Sequence, residues 1–207
     1  MLIFMKHAKK FLDLKSDSER YHALHYAAGR VYAVSAYMMA WLDGDFGKQG
    51  SYDFVTGSEL EESMPAFDKV IPPVNDGSVY ITVCTSELAK LHTILKGILT
   101  MLAKEKNALS VQMTYESTGL IIDMLMPQLQ VRYVVVGVMS NFAHGKPKRA
   151  RVNVKQLADT IGYFVQRGNE IQLYAPLRVS RQSPILFTAE RTGAVLTQMR
   201  DVMISEA

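Results

Sequence analysis

Residues 79–106 read VYITVCTSELAKLHTILKGILTMLAKEK, and they decide how the chain is built. Val79–Cys84 is rich in β-branched and aromatic residues and predicts a strand. Ser86–Lys106 predicts a helix. On a wheel of about 100° per residue, its apolar residues Leu88, Leu91, Ile94, Leu95, Ile98, Leu99 and Leu102 fill one arc. Lys90, Lys96 and Lys104 fall on the opposite arc with Ala89, Thr93, Gly97 and Thr100, while Glu87 and Glu105 lie beside the apolar one.

Working toward the C-terminus, Ser110–Tyr115, Gly119–Leu125 and Val131–Phe142 are three strand-like runs separated by turn residues. The basic stretch His144–Arg151 reads as a loop feeding a second helix. That helix has Asn153 as its N-cap, Gln156 at the capping-box position and Gly168 just past its end. Strands at Glu170–Ala175, Pro184–Thr188 and Ala194–Met199 close the chain. From residue 79 the order is β-α-β-β-β-β-α-β-β-β, a βαβββ unit written twice. Strand runs joined by short turns predict an α+β fold with mainly antiparallel sheet. Toward the N-terminus, a strand at Leu2–Met5 and a helix over about Lys6–Lys15 precede two β-like runs, Tyr21–Ala28 and Val31–Leu42, with a tight hairpin at Gly29-Arg30. Residues 43–78 are acidic and rich in Gly, Pro and Ser, with a short strand candidate at Tyr52–Thr56. Pro72–Gly77 is the linker candidate, dividing the chain into 1–78 and 79–207.

The chain has 207 residues, 48% of them apolar and 21% charged, which argues against disorder. Its net charge of +3 hides a division along the sequence. Residues 1–41 carry six bases and three acids, residues 42–76 two bases and eight acids, and residues 77–207 fifteen bases and nine acids. Such segregation predicts faces of opposite sign. Lys6, Lys9 and Lys10 share one side of the first helix. On the last helix, Val154, Leu157, Ala158, Ile161, Phe164 and Val165 form the core stripe, and Lys155, Gly162, Tyr163, Gln166 and Arg167 face away. The loop before it adds Lys146, Lys148, Arg149 and Arg151. Basic and small side chains on outward helix faces suit a phosphate backbone, and the scarcity of interleaved aromatics favours duplex over single-stranded DNA.

Other chemistries lack their residues. A single cysteine, Cys84, allows no internal disulfide and no CxxC pair. No apolar stretch approaches the ~18 residues of a spanning helix, and the five-residue apolar run at the N-terminus is too short for a signal peptide. A reduced, soluble, cytoplasmic protein is the expectation. The five histidines are scattered, with His22 and His25 on opposite faces of a strand pattern, and Asp43-Gly44-Asp45 lacks the later ligands of a calcium loop. Ser35 has no G-x-S-x-G context and Cys84 no neighbouring histidine. The cluster Glu59, Glu61, Glu62 reads as a solvated outer hairpin. No metal, no cofactor and no enzymatic activity are expected.

Several spaced segments together resemble the bacterial DNA polymerase III beta sliding clamp family and its phage-encoded members. Ser18–Leu24 (SERYHAL) is similar to the family's DTRYxL, and Val31–Ala40 (VYAVSAYMMA) to its LxATDGHRLA strand. Met64–Pro72 (MPAFDKVIP) resembles FPDYRRVIP, and Val152–Asp159 (VNVKQLAD) resembles FNxxYLLD. Ser183–Phe187 with Gly193–Arg200 is similar to SPLLI…AxVVMPMR at the C-terminus. The resemblance implies a DNA-clamp fold, with antiparallel sheets outside and helices inside a ring. It makes residues 1–78 an abbreviated clamp domain with an acidic hairpin, and 79–207 a complete one. It implies a processivity factor that encircles duplex DNA without regard to sequence and has no catalytic residue. Lys6, Lys9, Lys10, Lys90, Lys96, Lys104, Lys146, Lys148, Arg149, Arg151, Lys155 and Arg167 would line the bore. A pocket for the peptide motif of a polymerase or clamp loader would be walled by Val34, Ala36, Tyr37, Met38, Met39, Pro65, Lys69, Val70, Val195, Thr197, Met199 and Arg200. Two domains per chain favour a homo-trimer over a dimer. The chain departs from the family at TDGHR, here Val34–Met38, and at MPMR, here Thr197–Arg200, and its first domain is short. These departures leave a second function class, a clamp-fold interaction protein that does not encircle DNA.

Overall fold

The computed structural model describes residues 1–61, 66–101, 110–126, 129–142, 147–168, 170–176 and 183–199. Helix α1 spans Leu2–Phe11, where the sequence predicted a strand through Met5 before the helix. Phe4, Ala8 and Phe11 recur at helical spacing and are all buried, so tertiary packing turns the β-prone Leu2–Met5 into the helix's first turn. Strands β1 (Ala23–Ala27) and β2 (Arg30–Val34) form the expected hairpin. Its turn sits one residue earlier than expected, at Ala28-Gly29, both with positive φ (48° and 72°) as a two-residue turn of this hand requires. The single run expected over Val31–Leu42 is two strands, β2 and β3 (Met38–Asp43). The amide of Ser35 donates to Met38 O (2.8 Å) and closes a turn that carries no glycine or proline signal. β4 (Gly50–Asp53) pairs with the short β5 (Glu59–Leu60), so the acidic hairpin is present. The strand candidate Tyr52–Thr56 ends at Asp53 because its carboxylate accepts from the amides of Val55 (2.9 Å) and Thr56 (2.7 Å).

β6 (Tyr80–Val83) leads into helix α2 (Thr85–Met101), and residues 102–106 of the expected helix lie outside the described residues. β7 (Ser110–Glu116), β8 (Gly119–Met126) and β9 (Leu129–Val135) form a meander. The run Val131–Phe142 is broken: β10 (Val138–Ser140) leaves that meander and pairs with β6. Gly137 marks the break, since a Cβ there would lie 2.4 Å from the carbonyl oxygen of Thr82. The basic loop before the last helix is in its described part a strand, β11 (Lys148–Asn153), paired with β7. Asn153 caps α3 (Val154–Val165) as expected, its side chain accepting from the amides of Lys155 and Gln156. β12 (Ile171–Tyr174), β13 (Ile185–Ala189) and β14 (Thr192–Leu196) complete the order.

All strand pairings among the described residues are antiparallel. The βαβββ unit does occur twice, as β6-α2-β7-β8-β9 and β11-α3-β12-β13-β14, and the two units exchange their leading strands. β6 joins β12 and β11 joins β7, giving a four-stranded sheet β11-β7-β8-β9 and a ten-stranded sheet β10-β6-β12-β13-β14-β3-β2-β1-β4-β5. The N-terminal segment α1-β1-β2-β3 repeats the αβββ part of the unit. Its third strand, β3, pairs with the third strand β14 of the second unit, with Val195 opposite Met39. One apolar core runs between the sheets and the helices, from Phe4 and Phe11 through Leu91 and Phe164 to Val111 and Ile122.

Candidate nucleic-acid interface and partner cavity

α3 lies between α1 and α2, and contacts between helices decide which of its residues stay outside. Gly162 and Tyr163, expected to face away, are buried. A Cβ on Gly162 would lie 2.6 Å from Nε2 of His92 on α2, so glycine permits that helix contact. On the other flank Tyr163 receives Phe4, His7 and Phe11 of α1, with ring centroids 5.7–6.2 Å apart. Its hydroxyl meets Thr192, which in turn donates to Trp41 O (2.6 Å), and burial raises its pKa. The wheel had no way to count a second and third helix as neighbours.

The bases that remain exposed surround this three-helix layer. Lys10 of α1 (3.0 Å) and Lys155 of α3 (2.9 Å) both pair with Asp159, and Lys10 and Lys96 both stand close enough to His92 to lower its pKa, after burial itself. Lys6 and Lys9 continue the exposed side of α1. Lys90 reaches back to Glu87 (3.2 Å), and Arg167 stands over the Tyr163 ring at 5.5 Å. The strand β11 divides its bases. Arg151, Gln112, Asp123 and Arg132 form one cross-strand row, and Ala150, Met113, Ile122 and Tyr133 form the next. The second row packs in the core beneath the helices, so Arg149 and Arg151 project from the opposite sheet face and Lys148 from the helix side. Lys104 and Lys146 lie outside the described residues.

Glu87 is buried and fixes how α2 sits. It accepts from Tyr133 Oη (2.6 Å), the Val136 amide (3.2 Å) and Lys90. Burial pushes its pKa up, and these donors overcome that and hold it below the usual value. Tyr133 is pushed up to about 12 by burial and by donating to that carboxylate. The sequence placed Glu87 beside the apolar arc of α2, which was the available signal for this role.

The residues expected to wall a peptide pocket separate into two places. Met39 and Val195 pack with Tyr32, Trp41, Leu186 and Phe67 in a small second core, against which Val34 rests; the Tyr32 and Phe67 rings stack at 4.3 Å. Met38 is buried on the opposite face of β3, in the main core. Ala36, Tyr37, Thr197 and Met199 instead border a cavity of about 820 Å³ together with Asn153, Gln156 and Gln198. Thr197 donates to Tyr37 O from its amide (3.0 Å) and hydroxyl (3.1 Å), and the Met199 amide donates to Arg151 O (2.8 Å). Asn153 and Gln156 were read only as helix-start residues. Their place in the wall follows from β11 delivering the α3 N-terminus beside residues 197–199. Lys69 and Val70 are exposed on the connector, and Pro65 and Arg200 lie outside the described residues.

Two exchanged βαβββ units, with helices layered against long antiparallel sheets, define the DNA sliding-clamp fold. Solved structures of bacterial clamps carry it. The Caulobacter crescentus beta sliding clamp matches with a TM-score of 0.72 at 13% identity, over 96% of this chain and 63% of that one. The DNA polymerase III subunit beta of Pseudomonas aeruginosa matches at 0.71 and 12%, with the same coverage. The beta subunit from DNA polymerase of Streptococcus pyogenes matches at 0.70 and 10%, over 96% of this chain and 64% of that one. The chain thus spans less than two thirds of the length of these clamps. No protein-family model matches the sequence, and no curated protein matches it. No described helix is long and apolar enough to cross a membrane.

Proposed function

We propose that the chain is a sliding clamp, a DNA polymerase processivity factor without catalytic residues, whose three-helix layer faces duplex DNA. The observation that carries this is the set Lys6, Lys9, Lys10, Lys96 and Lys155 on the exposed side of helices in a clamp fold. Lys90, Lys148 and Arg167 extend it, with Lys104 and Lys146 nearby in sequence. Arg149 and Arg151 belong to the other face and have no part in the bore. A clamp needs many weak phosphate contacts and no base contact, because topology rather than affinity retains it. In this reading residues 1–78 act as an abbreviated clamp domain and 79–207 as a complete one. The duplex and a tethered polymerase or loader are the partners, in the cytoplasm of a bacterial or phage-infected cell. A partner's peptide enters the cavity between Tyr37, Gln156 and Met199.

The test replaces Lys10, Lys96 and Lys155 by Glu and follows binding to a random-sequence duplex across a salt series. Each lost phosphate contact lowers the salt slope by about 1, so the triple variant shows a slope about 3 shallower and much weaker binding. Unchanged slope and affinity in a folded variant overturn the assignment. The alternative, a clamp-fold protein that does not encircle DNA, is favoured by one observation: β14, one of the two outer edges of the complete pair of units, is already occupied by β3 of the same chain.

A further inference from the structure

The basic stretch ahead of α3 leaves two arginines that the helix layer does not use. Arg149 and Arg151 are exposed on the outer face of β11, and Asn153, two residues on, shares that face. Asn153 borders the cavity beside Tyr37 and Gln156, and the amide of Met199, another cavity residue, donates to Arg151 O (2.8 Å). The cavity therefore lies at one end of a row Asn153–Arg151–Arg149, whose members follow at about 6.6 Å along the strand. Arg151 is steadied by Ser110 on β7, whose hydroxyl accepts from its Nε (2.7 Å). Gln112 and Thr114, opposite the two arginines on β7, are uncharged. The described carboxylates of this sheet face stand farther off. Glu116 lies past Thr114 at the end of β7, and Asp123, two strands from Arg151, is 3.6 Å from Arg132.

The cavity wall itself carries no charged side chain. An uncharged cavity and two adjacent arginines call for two parts of one ligand: uncharged side chains for the first, carboxylates for the second. Arginine's planar fork matches a carboxylate through two parallel hydrogen bonds. A nucleic-acid strand would bring phosphates to the row, but the row has no aromatic ring on which its bases could stack. We propose that the cavity and the arginine row form one groove for an acidic segment of a partner protein. Uncharged residues of the segment sit between Tyr37, Gln156 and Met199, and its Asp or Glu residues two and four positions away pair with Arg151 and Arg149. That spacing is the one an extended segment running along β11 supplies, at about 3.3 Å per residue. The inference rests on the proposed entry of a partner's peptide into the cavity, and adds the partner's charge and the two residues that read it. A segment held on this sheet face leaves the helix lysines facing the duplex.

Peptides selected on the full chain from a random phage-displayed library, then synthesised with fluorescein, test the groove by anisotropy. The selected sequences are expected to carry Asp or Glu beside an uncharged anchor. Arg149→Glu/Arg151→Glu should weaken their binding about tenfold or more, with circular dichroism retained, and Arg149→Gln/Arg151→Gln should weaken it less. Exchanging the peptide's Asp and Glu for Asn and Gln should weaken binding to the wild type and change little on the Gln variant, because both changes remove the same pairs. Ala36→Trp, placed to fill the cavity, should abolish binding of every version. Selected peptides without acids, or equal binding by wild type and both arginine variants, overturn the inference; if Ala36→Trp still abolishes their binding, the cavity reading survives that failure. Peptides indifferent to Ala36→Trp, or no selected peptide at all, overturn both.

Discussion

His7 is 4% exposed, its ring buried at the meeting of helices. It sits where α1 meets α3, against Tyr163, with Lys6 and Lys10 on its own helix, Asp159 and Gln166 on α3, and His92 across on α2. Burial, first, and the two lysines lower its pKa; Gln166 and Asp159 pull the other way without reversing the shift. Asp159, the carboxylate among these groups, is already shared by Lys10 and Lys155. A lowered folded-state pKa means the unfolded chain takes up the proton first. Stability is therefore present above the ordinary histidine value of 6.5 and falls as the pH drops through it. His92, lowered mainly by burial, acts in the same direction. The urea midpoint should drop between pH 7.5 and 5.5, and His7→Phe, which keeps an uncharged ring against Tyr163, should flatten much of that drop. An equal drop in wild type and variant would assign the acid sensitivity elsewhere.

At the scale of elements, α3 is the best-specified piece. Asn153 caps it through two amides and also borders the cavity beside Tyr37 and Met199. Asn153→Ala should cost about 1 kcal/mol in urea unfolding; no loss would mean that neighbouring strands, not the cap, fix the helix start. Elements whose signal is local were legible in sequence: α2 from its leucine arc, α3 from its cap, and the β1–β2 hairpin from Gly29. Elements set by contact with distant residues were not. Leu2–Met5 became helix because Phe4, Ala8 and Phe11 find a core, and the β2–β3 turn shows in sequence only as an uninterrupted run of strand formers. The β9–β10 break had a cue in Gly137, whose need arises only because β6 passes behind it. The site divides the same way. Lysines on single amphipathic faces are exposed as the wheel expects, while Arg149 and Arg151 leave the helix side because a strand alternates its side chains where a loop does not. Met39 and Val195 turned inward because Phe67 packs over them.

At the scale of the molecule, charge is arranged by layer. The helices carry the exposed lysines, and of the acidic residues in 42–76, Asp53 and Glu59 lie on the β4–β5 hairpin, at the end of the long sheet opposite β10. That hairpin keeps its acids away from the surface proposed to meet phosphates. Encirclement, as opposed to ordinary phosphate binding, makes one distinctive demand: the DNA must have no free end. The direct measurement is retention on nicked circular duplex during gel filtration at moderate salt, before and after the circle is cut once. A clamp stays with the circle and is lost when it becomes linear. Equal retention on circular and linear DNA, or none on either, contradicts the account.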